Sequence, residues 1–337
     1  VLVVIGPAGG KEHAHSGHPE RPARIDAVMA GVEDLHLGSD LVTVEPRAAA
    51  SEDLTRVHDP AYLDRLRRFC AEGGGALDAD TYAGPDSWDA ALLAAGAGLT
   101  ALEEADAKSR PVFVPVRPPG HHALAGRPMG FCLLNNVAVA AAKLLEAGER
   151  VVIVDWDVHH GNGTQALFWD EPDVLYVSVH QWPCYPGTGA AFEVGGPAAP
   201  GATLNVPVPP GATGDVLRTA FDLVVTPAVE RFAPTWVLVS AGYDAHRADP
   251  LAELALSAGD FAELARVVSG YAPRPGRLVV FLEGGYDLGA IRSSVSATFG
   301  ALTGADASSE HPTSGGPGIE QVRASDRQRR ALLDEES

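Results

Sequence analysis

Apolar runs of strand length recur along the chain, each closed by Gly, Pro or charged residues. Val1–Ile5, Leu41–Glu45, Pro111–Val116, Val151–Trp156, Val174–Val179, Thr203–Val206, Trp236–Ser240 and Leu278–Leu282 are such runs. The central ones are continuous rather than alternating, the pattern of strands buried on both faces. Between them lie longer stretches of helical composition: from the Pro-rich His18–Arg24 toward Leu37, then Pro60–Cys70, Ser87–Ala107, Leu133–Ala147, Gly214–Phe232 and Gly259–Ser269, with a last helix after Gly285. Strands alternating with helices predict a parallel sheet covered on both faces. Arg117–Gly130 and the Gly/Pro/Ala-rich Gly195–Gly211 read as long loops. From Thr303 onward large apolar residues are scarce, which predicts a polar, mobile tail over 303–337 with a short helix at Gln328–Leu333. The expected organisation is one domain over 1–302 followed by that tail.

Composition narrows the function. The chain has 337 residues, 46% of them hydrophobic, enough for a large core. No apolar run approaches the roughly 20 residues that span a bilayer, and Val1–Ile5 is too short for a secretory leader. A cytoplasmic protein without membrane partners is expected. Lys and Arg total 25 against 44 Asp and Glu, a net charge of −19. That balance argues against binding a phosphate backbone and suits a cationic substrate. Cys70, Cys132 and Cys184 are isolated, which leaves no C-x-x-C metal or redox motif.

The polar residues cluster where strands end, and open parallel sheets form their sites there. VVIVDWDVHHGNG (151–163) runs a buried strand into Asp155, Asp157 and His159. Alternate residues share a face in extended chain. Two carboxylates and an imidazole on one edge are costly to bury as bare charges, and a divalent cation resolves this. VSAGYDAHRADPL (239–251) supplies Asp244 as a third ligand, so that Asp157, His159 and Asp244 leave a position open for water. In RPPGHHA (117–123) the loop allows both His121 and His122 to face one cavity. Each imidazole needs a partner to fix its tautomer, and Asp155 and Asn162 are candidates. In FLEGGYD (281–287) the Tyr286 hydroxyl is placed to donate to an oxyanion. Together these are the parts for metal-assisted hydrolysis of an amide.

These stretches resemble the histone deacetylase family, including its bacterial amidohydrolases. HPERPAR (18–24), RPPGHHA (117–123), MGFCLLNNVAVAA (129–141), VDWDVHHGNGTQ (154–165), VSVHQ (177–181), YPGTG (185–189), SAGYDAH with DPL (240–251) and LEGGY (282–286) fall in family order over about residues 10–300. Asn162 resembles the class II branch. The resemblance implies the arginase/deacetylase fold, a three-layer α/β/α domain on a mostly parallel eight-stranded sheet. It implies zinc, with iron as the cellular alternative, on Asp157, His159 and Asp244. It implies His122 as general base and acid, and His121 charged or sharing its proton with Asp155. Asn162 is then implied to orient His122, and Tyr286 to polarise the carbonyl. Gly130, Phe131, Tyr185, Leu251 and Gly284 are implied substrate contacts, with the Gly130 carbonyl facing the amide N–H. A structural potassium ion is implied near Asp155, Asp157, His159, Ser178 and Val179, and Arg24 is implied beside a product-exit path. Cys184 stands where an aromatic is usual.

The implied substrate is an acetylated amine, on a lysine side chain or a polyamine. Another small acyl amine, or a fold kept only for binding one, is the alternative. A two-manganese ureohydrolase on the same fold needs more Asp and His ligands than these motifs offer. No long dimer-building insertion is seen, so a monomer is expected ahead of a dimer.

Overall fold

The structure, a computed structural model, describes residues 1–8, 13–108, 110–307 and 310–335. Its main sheet has eight strands: β1 (Leu2–Ile5), β2 (Leu41–Val44), β5 (Val112–Val114), β6 (Val151–Asp155), β7 (Val174–Gln181), β8 (Thr203–Val208), β9 (Trp236–Ala241) and β10 (Leu278–Leu282). The labels β3 (Gly75–Ala76) and β4 (Tyr82–Ala83) belong to a separate small hairpin. Spatial order is β2-β1-β5-β10-β9-β6-β7-β8, and every pairing in the large sheet is parallel.

Successive residues of the central strands enter two different cores. Val152 and Val154 of β6, with Val280 and Leu282 of β10, pack among Ile25, Val28, Phe261, Ile291 and Val295. Those partners lie on helices Ala23–Glu33, Ala258–Ser269 and Leu288–Thr303. Val151 and Ile153, with Val279 and Phe281, pack on the other face against Ala94, Leu99, Val137 and Ala141, from helices Ser87–Lys108 and Asn136–Glu146. This is the expected α/β/α arrangement, and burial on both faces explains the continuous apolar runs of these strands. Small residues let the long helix sit close. A Cβ placed on Gly98 would lie 2.8 Å from the Phe281 ring.

Three elements differ from the sequence reading. The run expected over Leu133–Ala147 starts its helix at Asn136, because Asn135 caps it by accepting the Ala138 N–H at 3.1 Å. Gly214–Phe232 is interrupted by a π-helical turn at Phe221–Val225. Pro227 lacks the N–H that an unbroken α-helix would aim at the Leu223 carbonyl, and the wider turn accommodates that loss. The segment after 303, expected as a mobile tail with a helix at Gln328–Leu333, instead carries a helix over Ile319–Glu335. It docks through Val322, which is fully buried in the same core as β8. Of that segment, 308–309 and 336–337 lie outside the described residues. Among the described residues no helix is long and apolar enough to cross a membrane.

The topology positions the site. Strands β10, β9 and β6 are far apart in sequence and adjacent in space, with Asp155 and Phe281 both in register with Ser240. The loops after these three strands therefore meet above one edge. Phe281 is wholly buried beneath that edge. Phe281→Ala should cost about 3–5 kcal/mol, read by urea unfolding, and a loss below about 1 kcal/mol would show that the helix closes the gap.

Candidate active site

Two acids and one imidazole meet beyond β6 and β9. Asp157 and Asp244 are buried, and backbone N–H groups hold each in place. Asp157 Oδ1 accepts from His159 N at 2.9 Å and Oδ2 from Gly284 N at 2.8 Å. Asp244 Oδ1 accepts from Val158 N at 3.0 Å. His159 Nδ1 lies 3.2 Å from Asp157 Oδ1 and 3.3 Å from Asp244 Oδ2. One donor atom from each of Asp157, His159 and Asp244 lies within 4.8 Å of the others. Asp244 Oδ2 is buried without a hydrogen-bond partner among the described residues. A buried, unpartnered carboxylate oxygen beside a second carboxylate and an imidazole is a donor set that fits a divalent cation. Close approach there requires glycine: a Cβ on Gly284 would stand 2.0 Å from Asp244 Oδ2, and one on Gly242 2.0 Å from Asp157 Oδ2. Gly284, expected as a substrate contact, packs on the carboxylates and is not among the residues that line the groove.

The two histidines of the Pro-Pro-Gly loop have different partners. His121 Nδ1 is 3.0 Å from Asp155 Oδ2, and the Tyr176 hydroxyl donates to the same oxygen at 3.0 Å. Burial alone would depress His121, but Asp155 and Asp157 overturn that and raise it to about 10. His122 Nδ1 is 2.8 Å from Asn162 Oδ1. An amide oxygen only accepts, so Nδ1 carries the proton and Nε2 keeps its lone pair. Burial, then the charges of His121 and His159, hold His122 well below its ordinary pKa. One imidazole is kept charged and its neighbour neutral, with ring centroids 4.0 Å apart. Asp155 and Asn162 are each brought to one member of the pair.

The neutral ring faces a groove of about 220 Å³. Phe131 and Tyr185 form its walls, with Tyr185 edge-on to His122 at 5.2 Å and Phe131 edge-on to Tyr286 at 5.7 Å. Gly130 has φ +55°, and a Cβ there would meet His122 Cδ2 at 2.4 Å. Its carbonyl accepts from Cys132 Sγ at 3.3 Å. Leu251 and Tyr185 are both exposed at the rim. Ser178 and Val179 are buried on β7, where Ser178 pairs in register with Asp155 and its hydroxyl meets His180 Nδ1 at 2.9 Å. Cys70, Cys132 and Cys184 are all free thiols.

Several acids that hold the site together, one of them through Arg24, carry no role in the sequence reading. Glu283 Oε2 accepts from Gly120 N at 2.7 Å and His121 N at 3.2 Å, and Oε1 accepts from Ser240 Oγ at 3.1 Å. It pins the histidine loop to the sheet, and burial pushes its carboxyl up to about 7. Asp249 accepts from Tyr286 N at 2.6 Å and so aims the phenol. Asp80, between β3 and β4, lines the groove, and its backbone carbonyl lies 2.9 Å from His18 Nε2. Arg24 is fully buried: it donates to the Glu283 and Gly285 carbonyls and to Glu20 Oε1, and its guanidinium carbon stands 4.9 Å from the Tyr286 ring centroid. Glu20 binds Arg117 as well. Acids of this kind sit alone in the sequence, and only their long-range partners mark them.

The fold and this edge of carboxylates and paired histidines are those of a hydrolase, with a donor set that fits a divalent cation. The model of the histone deacetylase domain matches residues 18–302. The chain is 41% identical over 330 residues to a rice protein named histone deacetylase 10, chloroplastic, covering 90% of this chain and 73% of that one. It is 41% identical over 288 residues to a histone deacetylase-like amidohydrolase of Pseudomonas aeruginosa, covering 83% and 76%. The crystal structure of the HDA15 HD domain superposes with a TM-score of 0.88 at 33% identity, covering 99% of this chain and 98% of that one. The chain belongs to the histone deacetylase family.

The Glu20 carboxyl generates an acid-stability prediction. Burial opposes its charge, but Arg117 and then Arg24 outweigh that and lower it from 4.5 to about 2. A depressed carboxylate contributes stability that is complete above pH 4.5 and is lost as pH falls toward 2. Glu20→Gln should therefore be less stable than wild type at pH 7, with a gap that narrows by about 3 kcal/mol as pH drops through this window. Urea unfolding at stepped pH checks this, and a constant gap would contradict it.

Proposed function

We propose that the chain is a zinc-dependent deacetylase that hydrolyses the amide of an acetylated amine to acetate and free amine. The observation that carries the reading is the juxtaposition of the Asp157, His159 and Asp244 donor set with a neutral, Asn162-oriented His122 at the base of one narrow groove. A divalent ion held there supplies Lewis-acid polarisation of the carbonyl and a more acidic water. Zinc is the preferred ion, with iron as the cellular alternative for an oxygen-rich set.

The chain's own groups do the rest. His122 Nε2 takes the water proton as the oxygen attacks the carbonyl carbon, and returns it to the amine nitrogen as the C–N bond breaks. His121 stays charged against Asp155, so the second imidazole does not compete for that proton. Tyr286 donates its hydroxyl to the carbonyl oxygen as negative charge builds. Burial first, with Asp244 and Asp157 adding to it, raises its pKa well above the usual value, so the phenol remains a donor. Phe131 and Tyr185 hold an unbranched apolar stem between their rings, and the Gly130 carbonyl takes the amide N–H. Arg24 stands behind Tyr286, beside the route acetate would leave by. Asp155, Asp157, His159, Ser178 and Val179 are proposed to ring a structural potassium ion under the site.

The narrow groove between Phe131 and Tyr185 supports a substrate with a thin apolar stem ending in an acetylated amine, as on a lysine side chain or a polyamine; a cytoplasmic protein, monomer ahead of dimer, is proposed. The neutral Leu251 at the rim and the acidic Asp80 favour a substrate with an amide or cationic flank. Mass spectrometry of products from an acetyl-lysine peptide, acetylputrescine and acetylspermidine, with and without chelator, tests this. Chelator-sensitive release of free amine is expected. No turnover of any of the three by zinc-loaded protein would overturn it.

Two variants divide the roles. Tyr286→Phe should bind zinc normally and lose about 10²–10³ in kcat. Asp244→Ala should lose bound zinc, measured by elemental analysis, together with turnover. Full activity in either would remove that residue from the mechanism.

A further inference from the structure

A second cavity, of about 410 Å³, opens on the opposite end of the sheet from the active site. Leu175 near the start of β7 and Ala202 just before β8 line it, so it lies at the amino ends of strands whose carboxyl ends face the chemistry. Its other walls are the loop around Pro200, the end of helix Thr226–Phe232 and the C-terminal helix Ile319–Glu335. Two of its lining residues are arginines and none is acidic, in a chain with 44 Asp and Glu.

Arg329 comes from the C-terminal helix and is only 7% exposed, yet its Nε has no hydrogen-bond partner among the described residues. Arg231 comes from the body of the protein, and its exposed guanidinium has no ion-pair partner there. The two cations face one cavity. Burial, and then the Arg231 charge, lower the Arg329 pKa. Asp326 offsets part of this, but its Oδ2 is taken by Arg330 Nε at 2.8 Å. A buried guanidinium N–H without an acceptor is costly, and an anion in the cavity would supply both the acceptor and the countercharge. Leu175, Phe232 and Leu333 supply apolar surface beside the charges.

We propose that this cavity binds a small organic anion, its oxyanion head between Arg231 and Arg329 and its apolar body against Leu175, Phe232 and Leu333. Guanidinium forks match carboxylate and phosphate oxygens alike. The ligand would tie the C-terminal helix to the body, so its binding stabilises the fold without touching the catalytic groups.

Calorimetric titration with benzoate, with inorganic phosphate and with neutral benzamide tests the site, alongside thermal unfolding. Saturable one-to-one binding of an anion is expected, with a raised Tm and no binding of benzamide. Tighter benzoate assigns a carboxylate ligand, and tighter phosphate assigns a phosphate monoester. Arg329→Gln and Arg231→Gln should each weaken binding at least about tenfold and leave turnover of acetylated amine unchanged. Arg231 is exposed, so its variant reads binding without disturbing the core. No saturable binding of either anion, binding that survives both substitutions, or benzamide binding as well as benzoate would each overturn the proposal.

Discussion

The structure depends on keeping four acids dry at one edge of a parallel sheet. Asp155, Asp157, Asp244 and Glu283 are all buried at the carboxyl ends of β6, β9 and β10. Bare carboxylates cannot remain charged in such surroundings without compensation. Each is compensated differently. Asp155 has His121 and the Tyr176 hydroxyl, Glu283 has two backbone N–H groups and Ser240, and Asp157 has two N–H groups. Asp244 keeps one oxygen unpartnered. That remaining deficit of positive charge is what fits the cluster to a cation rather than to a polar core.

Compensation also sets the chemistry. The charge that satisfies Asp155 is held on His121, and burial first and then that charge hold His122 well below its ordinary pKa. In the proposed mechanism this leaves a neutral imidazole at the groove to act as base, beside a structural pairing one residue away. Arg24 acts in the same way behind the opposite wall. It binds the Glu283 and Gly285 carbonyls and is itself neutralised by Glu20, so the turn that presents Tyr286 is fixed from beneath. The groove is then lined by groups whose positions are settled before substrate arrives, which favours catalysis by preorganised electrostatics.

Much of this was legible in the sequence, for identifiable reasons. Strands buried on both faces leave continuous apolar runs, so β6, β9 and β10 stand out, and the chemistry follows directly after them. The one-residue spacing of Asp155, Asp157 and His159 points to a shared edge, although β6 ends at Asp155 and only Asp157 and His159 join the donor set. Other features left no local trace. Glu283 and Asp249 act on backbone groups far away in sequence, and Asp80 reaches the groove through a hairpin of two-residue strands. The C-terminal helix is mostly polar, and its docking rests on Val322 and a few neighbours, so composition alone described it as a tail. The π-helical turn at Phe221–Val225 follows from Pro227, yet the apolar pattern on either side reads as one helix.

The central claim is that Asp157, His159 and Asp244 form a single cation site built from oxygen and nitrogen. X-ray absorption spectroscopy on protein loaded with one equivalent of zinc tests it most directly. Only light neighbours are expected, at about 2.0–2.2 Å, with one imidazole in the shell. A sulfur neighbour at about 2.3 Å, from Cys184 or Cys132, would contradict it, as would zinc that binds equally well once both aspartates are replaced by alanine.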